Sequence, residues 1–225
     1  GATHSKVAVF SDDLQMLDIE RTETPILDGP PYRYPDLDAL ETDIVRALRR
    51  AAKDFEIRAL IPCHYGSTAA LLAEDGLALP IMNYEQVIPD DVVAAYRQVV
   101  PPFEEIHTPL HPAALSLGAQ LFWQEHDWPD AFARVEHILM GPQYWAWRFS
   151  GVPATEPTAI GSQSHLWAPA TQTLSSLVRS RGWTKLFPPL YKPHDILGPI
   201  RRELAERTGL PADCAVLAGA HDSNA

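Results

Sequence analysis

Near its end the chain runs from an apolar stretch, Ala215-Val216-Leu217-Ala218-Gly219, into Ala220-His221-Asp222-Ser223. A carboxylate at a strand end, among small residues that let a substrate approach, can take the proton of a hydroxyl as that oxygen attacks phosphorus. The same Asp222 could instead cap a following helix. At the other end, Gly1-Ala2-Thr3-His4-Ser5-Lys6 reads as a tight turn directly before a strand. Such a turn can aim backbone N–H groups and the Thr3 and Ser5 hydroxyls at one point, with Lys6 supplying a cation. In chemical terms that is a phosphate cradle, although short stretches of this kind also arise by chance. Both ends look like pieces of one site, so the chain reads as cut at each. A hydrolase built on His221 and Asp222 is the weaker reading. Adjacent strand residues point to opposite faces, and no G-x-S-x-G elbow accompanies them.

The elements that must position these residues follow from periodicity. Val7–Phe10, a turn at Ser11–Asp13 and an alternating stretch from Leu14 to Thr24 read as a hairpin. Leu37, Leu40, Ile44, Val45, Leu48 and Ala51 share one face of a helix over 36–55, with Asp36 as its cap. Ile57 to Cys63 reads as a buried strand whose end, Cys63-His64-Tyr65-Gly66, is polar, and strand ends in open α/β sheets are where ligands sit. Leu71 to Leu79 reads as a second hairpin. Helices are expected at 90–99, 112–126, 129–139, 142–149, 171–181 and 198–208, a loop at 154–166, and a last strand at 215–219. The aromatics Tyr144, Trp145, Trp147 and Phe149 are expected in the core.

Across 225 residues the formal net charge is −11, which repels nucleic acid and anionic membrane surfaces while still permitting a small anion in a local nest of N–H groups. Cys63 and Cys214 lack metal-ligand spacing and read as reduced, mostly buried thiols. No apolar run approaches the roughly 20 residues of a spanning helix, so a cytoplasmic protein is expected.

The order of cradle, hairpin, helix, strand with a polar end, helical insert and late strand ending in an acid resembles the first domain of the FGGY carbohydrate kinases. Their superfamily includes actin, hexokinase and Hsp70. Gly1 to Lys6 is similar to the family's D-x-G-x-T-x-x-K/R turn, whose Asp would precede Gly1. Ala218 to Ser223 is similar to its G-[AST]-H-D-[ST] stretch, and residues 121–151 to its helix pair ending L-x-x-x-D-Y-x-x-x-x-L-T-G. The resemblance implies an α/β fold with a ribonuclease-H-like mixed sheet flanked by helices, residues 1–225 forming the N-terminal, sugar-binding half of a two-domain kinase. It implies ATP and Mg²⁺ as cofactors and Asp222 as general base. Phosphate contacts would come from Ala2, Thr3, His4, Ser5 and Lys6.

Gly66, His221 and Ser223 would line a sugar pocket like that of L-rhamnulose and L-fuculose kinases. Departures at Thr68 and at Asn83-Tyr84-Glu85 imply a different hydroxyl pattern, read by His64, Tyr65 and Glu85. They also keep a non-catalytic sugar-binding module as the alternative. The expected partners are a sugar and ATP, without nucleic acid or membrane, and a homodimer stays open. Without a nucleotide domain these residues are expected to turn over slowly.

Overall fold

The computed structural model describes residues 3–225. Strands β1 (His4–Phe10) and β2 (Met16–Glu23) form the expected antiparallel hairpin, with Lys6 opposite Arg21 and Val9 opposite Asp18. The second strand starts at Met16 rather than Leu14. Leu14 has φ +61°, and its N–H donates to Ser11 O at 2.9 Å, so the turn extends through it. Helix α1 (Leu37–Asp54) begins where expected, Asp36 Oδ1 accepting from Ala39 N at 3.0 Å. It buries Leu40, Ala47, Leu48 and Ala51.

The stretch read as one buried strand from Ile57 is two short ones, β3 (Ala59–Leu60) and β4 (Cys63–His64), and Ile61 between them is exposed. Pro62 explains the break, because it brings no N–H to a ladder. Next come β5 (Ala69–Ala73) and β6 (Gly76–Leu79), the second expected hairpin. The expected helix over 112–126 is shortened to α2 (Leu117–Asp127). That over 129–139 is one turn, Pro129–Phe132, followed by strand β7 (His137–Met140). Here tertiary pairing overrides local propensity, since β7 closes an antiparallel sheet against β5 with Leu71 opposite Ile138.

Strand β5 is buried on both faces, as an interior strand must be. Ala69 and Leu71 join one hydrophobic cluster with Met82, Leu121 and Ile138. Ala70 and Leu72 join a second with Leu139, Trp145 and Val216. Each buried Leu contributes about 1.5–3 kcal/mol through removal from water.

Helix α3 (Gly141–Ser150) continues from β7 and buries Tyr144, Trp145 and Phe149 as expected, while Trp147 is partly buried beneath the Arg201 guanidinium. The stretch expected to be a loop contains a five-residue helix, α4 (Pro157–Gly161). The helix expected at 198–208 divides into strand β8 (Ile196–Pro199) and α5 (Arg202–Thr208). That expected at 171–181 is only Ser176–Ser180, and that at 90–99 ends at Tyr96. Finally β9 (Ala215–Leu217) pairs parallel with β3, and β10 (Ala220–His221) pairs parallel with β4.

Glu41 ties α1 to the later helices. It accepts from Arg148 Nε of α3 at 2.9 Å and from Arg207 Nη1 of α5 at 3.0 Å. Burial disfavours its charge, but the two guanidinium groups outweigh this and hold the carboxyl below its ordinary 4.5. A carboxyl depressed in the folded state stabilises fully above its unfolded value and loses that contribution as pH falls through its folded one. Glu41→Gln is therefore expected to cost about 1–2 kcal/mol near pH 7. Urea unfolding should show the difference shrinking below pH 4.5; a pH-independent difference would exclude the ion pairs as its origin.

Candidate functional site

Strands β4 and β10 end side by side, with His64 in register with His221. Their pairing is resumed after a kink. Gly219 has φ +80°, and a Cβ there would lie 2.2 Å from Pro62 O, so only glycine fits where the second chain turns past Pro62. The kinked backbone is paired elsewhere: Ala218 N donates to Asp195 O, Gly219 N to Pro193 O, both at 3.0 Å, and Gln143 Nε2 to Ala218 O at 3.0 Å.

His221 is buried and held on several sides. Its backbone N–H donates to Thr158 Oγ1 at 3.1 Å, and Thr158 donates to Glu156 Oε2 at 2.6 Å. Glu156, fully buried, also accepts from Thr158 N and Ala159 N as the N-cap of α4. The imidazole Nε2 lies 3.1 Å from Ser162 Oγ, and Nδ1 lies 3.2 Å from Asn224 Oδ1. Gly66 sits against this pair: a Cβ on it would come within 2.8 Å of Ser162 Oγ and 3.0 Å of His221 Nε2.

Asp222 starts a 3-10 turn over Asp222–Asn224 and exposes 45% of its side chain. That turn corrects the alternation argument. Because the strand ends at His221, Asp222 Oδ1 comes within 3.5 Å of His221 Nε2 rather than pointing to the opposite face.

A cavity of about 310 Å³ opens at these strand ends. It is lined by Tyr65, Gly66 and Tyr84 from the earlier part of the chain, by His221, Asp222 and Ser223, and by Gln163. A second cavity of about 480 Å³ shares His221, Ser223 and Gln163 with the first and adds Thr158, Ser162 and Trp167.

Gly66, Tyr65, His221, Asp222 and Ser223 are thus brought together, and two other expected residues are not in either lining. Glu85 is exposed beyond Tyr84; its charge adds to the burial that raises the Tyr65 phenol. His64 packs against Tyr65 with ring centroids 4.1 Å apart and ring planes tilted by 30°, and its Nδ1 donates to Tyr65 O at 2.9 Å. Burial lowers its pKa to about 4, so the ring is neutral at pH 7. It occupies space that Gly141 leaves, since a Cβ there would stand 2.3 Å from Nδ1. Thr68 is buried and donates to Gly66 O at 3.2 Å. Cys214 is buried as expected, but Cys63 is exposed.

The expected turn from Gly1 to Lys6 is corrected in its described part. His4, Ser5 and Lys6 already belong to β1, and alternation sends Ser5 inward, 3.0 Å from Thr22 Oγ1, while His4 and Lys6 are exposed on the other face. They therefore cannot converge as one turn would; among the described residues Thr3 alone precedes the strand. Ala2 lies outside the described residues.

Sequence reasoning missed Glu156, Thr158, Ser162, Gln163 and Asn224. The Glu156-Pro157 pair did carry a signal, an acid at the cap position followed by proline in the first turn. Among the described residues no group of three or more His, Cys, Asp or Glu could hold a metal ion, and no helix is long and apolar enough to cross a membrane.

This chain shares its α/β fold with solved sugar kinases. It is similar to a carbohydrate kinase from Novosphingobium aromaticivorans, with 35% identity and a TM-score of 0.95 over 99% of this chain and 48% of that one. Its fold also matches xylulose kinase from Lactobacillus acidophilus (15% identity, TM-score 0.85, 99% and 47% covered). Glycerol kinase from Plasmodium falciparum matches likewise (10%, 0.81, 99% and 47%). No curated protein matches the chain. The N-terminal domain of the FGGY family of carbohydrate kinases matches residues 106–225. The chain belongs to that family, and it spans about half the length of the solved kinases that it matches.

Proposed function

We propose that this chain forms the acceptor side of an ATP-dependent sugar kinase. The kinase transfers the γ-phosphoryl group to a hydroxyl of a ketose or related polyol, with Asp222 as general base. One observation carries the reading: an exposed carboxylate stands at a polar cavity of about 310 Å³ whose lining also includes Gly66, His221 and Ser223. A monosaccharide hydroxyl within reach of Asp222 can give up its proton as it attacks, and most of the catalysis then comes from positioning and charge stabilisation. His221 offers an imidazole, and Ser223 and Tyr65 hydroxyls, to the other oxygens of the acceptor.

On the donor side, Thr3 and the exposed Lys6 are proposed to meet phosphate oxygens. A magnesium ion would arrive on the nucleotide, held by phosphate oxygens and water, because Thr3 and Lys6 bring it no carboxylate. When bound, it would neutralise charge on the phosphates. The doubled length of the matched kinases supports a second domain that completes the nucleotide pocket and closes the cleft. The substrate, whether L-rhamnulose- or L-fuculose-like, xylulose or another polyol, follows from a test.

The test offers radiolabelled ATP and a panel of ketoses, aldoses and polyols to the full-length protein. Label is expected on at least one acceptor. Sugar binding with no ATP-dependent transfer to any of them would sink the kinase reading and favour a non-catalytic sugar-binding module.

A further inference from the structure

Gln163 lies after α4, in the stretch 154–166 expected to be a loop. Its φ is +52°, in the left-handed region that residues with side chains rarely adopt and that persists only where surroundings over-determine it. Those surroundings are present. Leu117 N donates to Gln163 O at 3.3 Å and Gly118 N to Ser164 O at 2.7 Å, so the first turn of α2 holds both carbonyls. Leu166 N donates to Ser164 Oγ at 3.0 Å, closing the segment from the other side.

Gln163 lines both cavities, which also share His221 and Ser223. The side chain is exposed and meets Ser67 Oγ at 3.5 Å, a weak contact that leaves most of its hydrogen-bonding capacity for a ligand. Its neighbour Ser162 is committed to His221 Nε2 at 3.1 Å. An amide offers two donors and an acceptor from one plane, whereas each hydroxyl of a vicinal diol both donates and accepts.

We propose that Gln163 is a specificity-determining residue of the acceptor site, its amide reading a vicinal diol and so distinguishing epimers at those carbons. This rests on the kinase reading for what happens to the bound polyol, not for its binding. A site that hydrogen-bonds a hydroxyl discriminates strongly, because the wrong partner leaves polar groups unpaired.

The experiment titrates the full-length protein calorimetrically with glycerol, xylulose and pairs of epimeric ketoses, then repeats this with Gln163→Ala and Gln163→Gly. Both variants are expected to weaken the best-bound acceptor at least tenfold and to narrow the ratio between epimers by a similar factor, with nucleotide affinity within twofold. Glycine also tolerates positive φ, so Gln163→Gly should keep or raise the thermal midpoint. A merely structural Gln163 would show the reverse, a lowered midpoint with the epimer ratio intact. Unchanged affinity, an equal loss for every acceptor, or no polyol binding by the wild type would each overturn the proposal. Wild-type binding with no phosphate transfer would instead defeat the kinase reading and leave this one standing if the variants behave as stated.

Discussion

Asp222→Asn is expected to lower kcat by about 10²- to 10⁴-fold, the range a positioned general base contributes. The substitution keeps the size of the side chain and removes its capacity to accept a proton in the transition state. The exposed position of Asp222 means that the change strands no buried group, so folding and acceptor affinity should stay close to wild type. The loss should therefore fall on kcat, with the acceptor dissociation constant within a few-fold, as for an interaction made mainly in the transition state. Steady-state kinetics with ADP release as the readout, alongside direct titration with the acceptor, separates the two. A variant that keeps the wild-type rate would show that another group handles the proton. His221 Nε2, 3.5 Å from Asp222 Oδ1, is the group to replace next.

Gly219→Ala is expected to destabilise the protein by about 3 kcal/mol or more. Two costs add. A residue with a Cβ at φ +80° is strained by about 1–2 kcal/mol. The new methyl would also lie 2.2 Å from Pro62 O, a backbone atom fixed by its acceptance of the Ala220 N–H at 3.1 Å. Relief requires β10 to move away from β4, and that movement separates His221 and Asp222 from Gly66. Thermal unfolding should show a midpoint lower by roughly 6–12 °C, taking 2–4 °C per kcal/mol for a domain of this size. An alanine variant as stable as wild type would mean that the kink relaxes freely.

The same kink shows where reading from sequence stopped. The apolar runs around Leu60 and Val216 announce strands, and the hairpins and α1 follow from alternation, turn residues and a capping Asp36 confirmed at 3.0 Å from Ala39 N. Nothing local says that Pro62 and Gly219 break neighbouring strands at the same level. The helical pattern expected through 129–139 failed for a related reason: β7 is held by pairing with β5, far away in the chain, and that pairing outweighs a weak local preference. At the first strand, the expected turn from Gly1 treated four described residues as able to converge. The ladder with β2 instead sorts three of them, His4, Ser5 and Lys6, onto two faces.

By itself the sequence determined the class of element at most strongly periodic stretches, the acid at the end of a late strand, and a resemblance to the FGGY family, which the family match over residues 106–225 bears out. These are properties of short windows, where residue type and spacing act directly on the backbone. Only the tertiary structure decided which polar groups meet. Glu156 and Thr158 reach His221 through its backbone N–H, Ser162 reaches it through Nε2, and Glu85 is left outside the cavity linings. Such contacts join residues about 60 positions apart, and their geometry is set by the packing of whole elements, which no local pattern encodes.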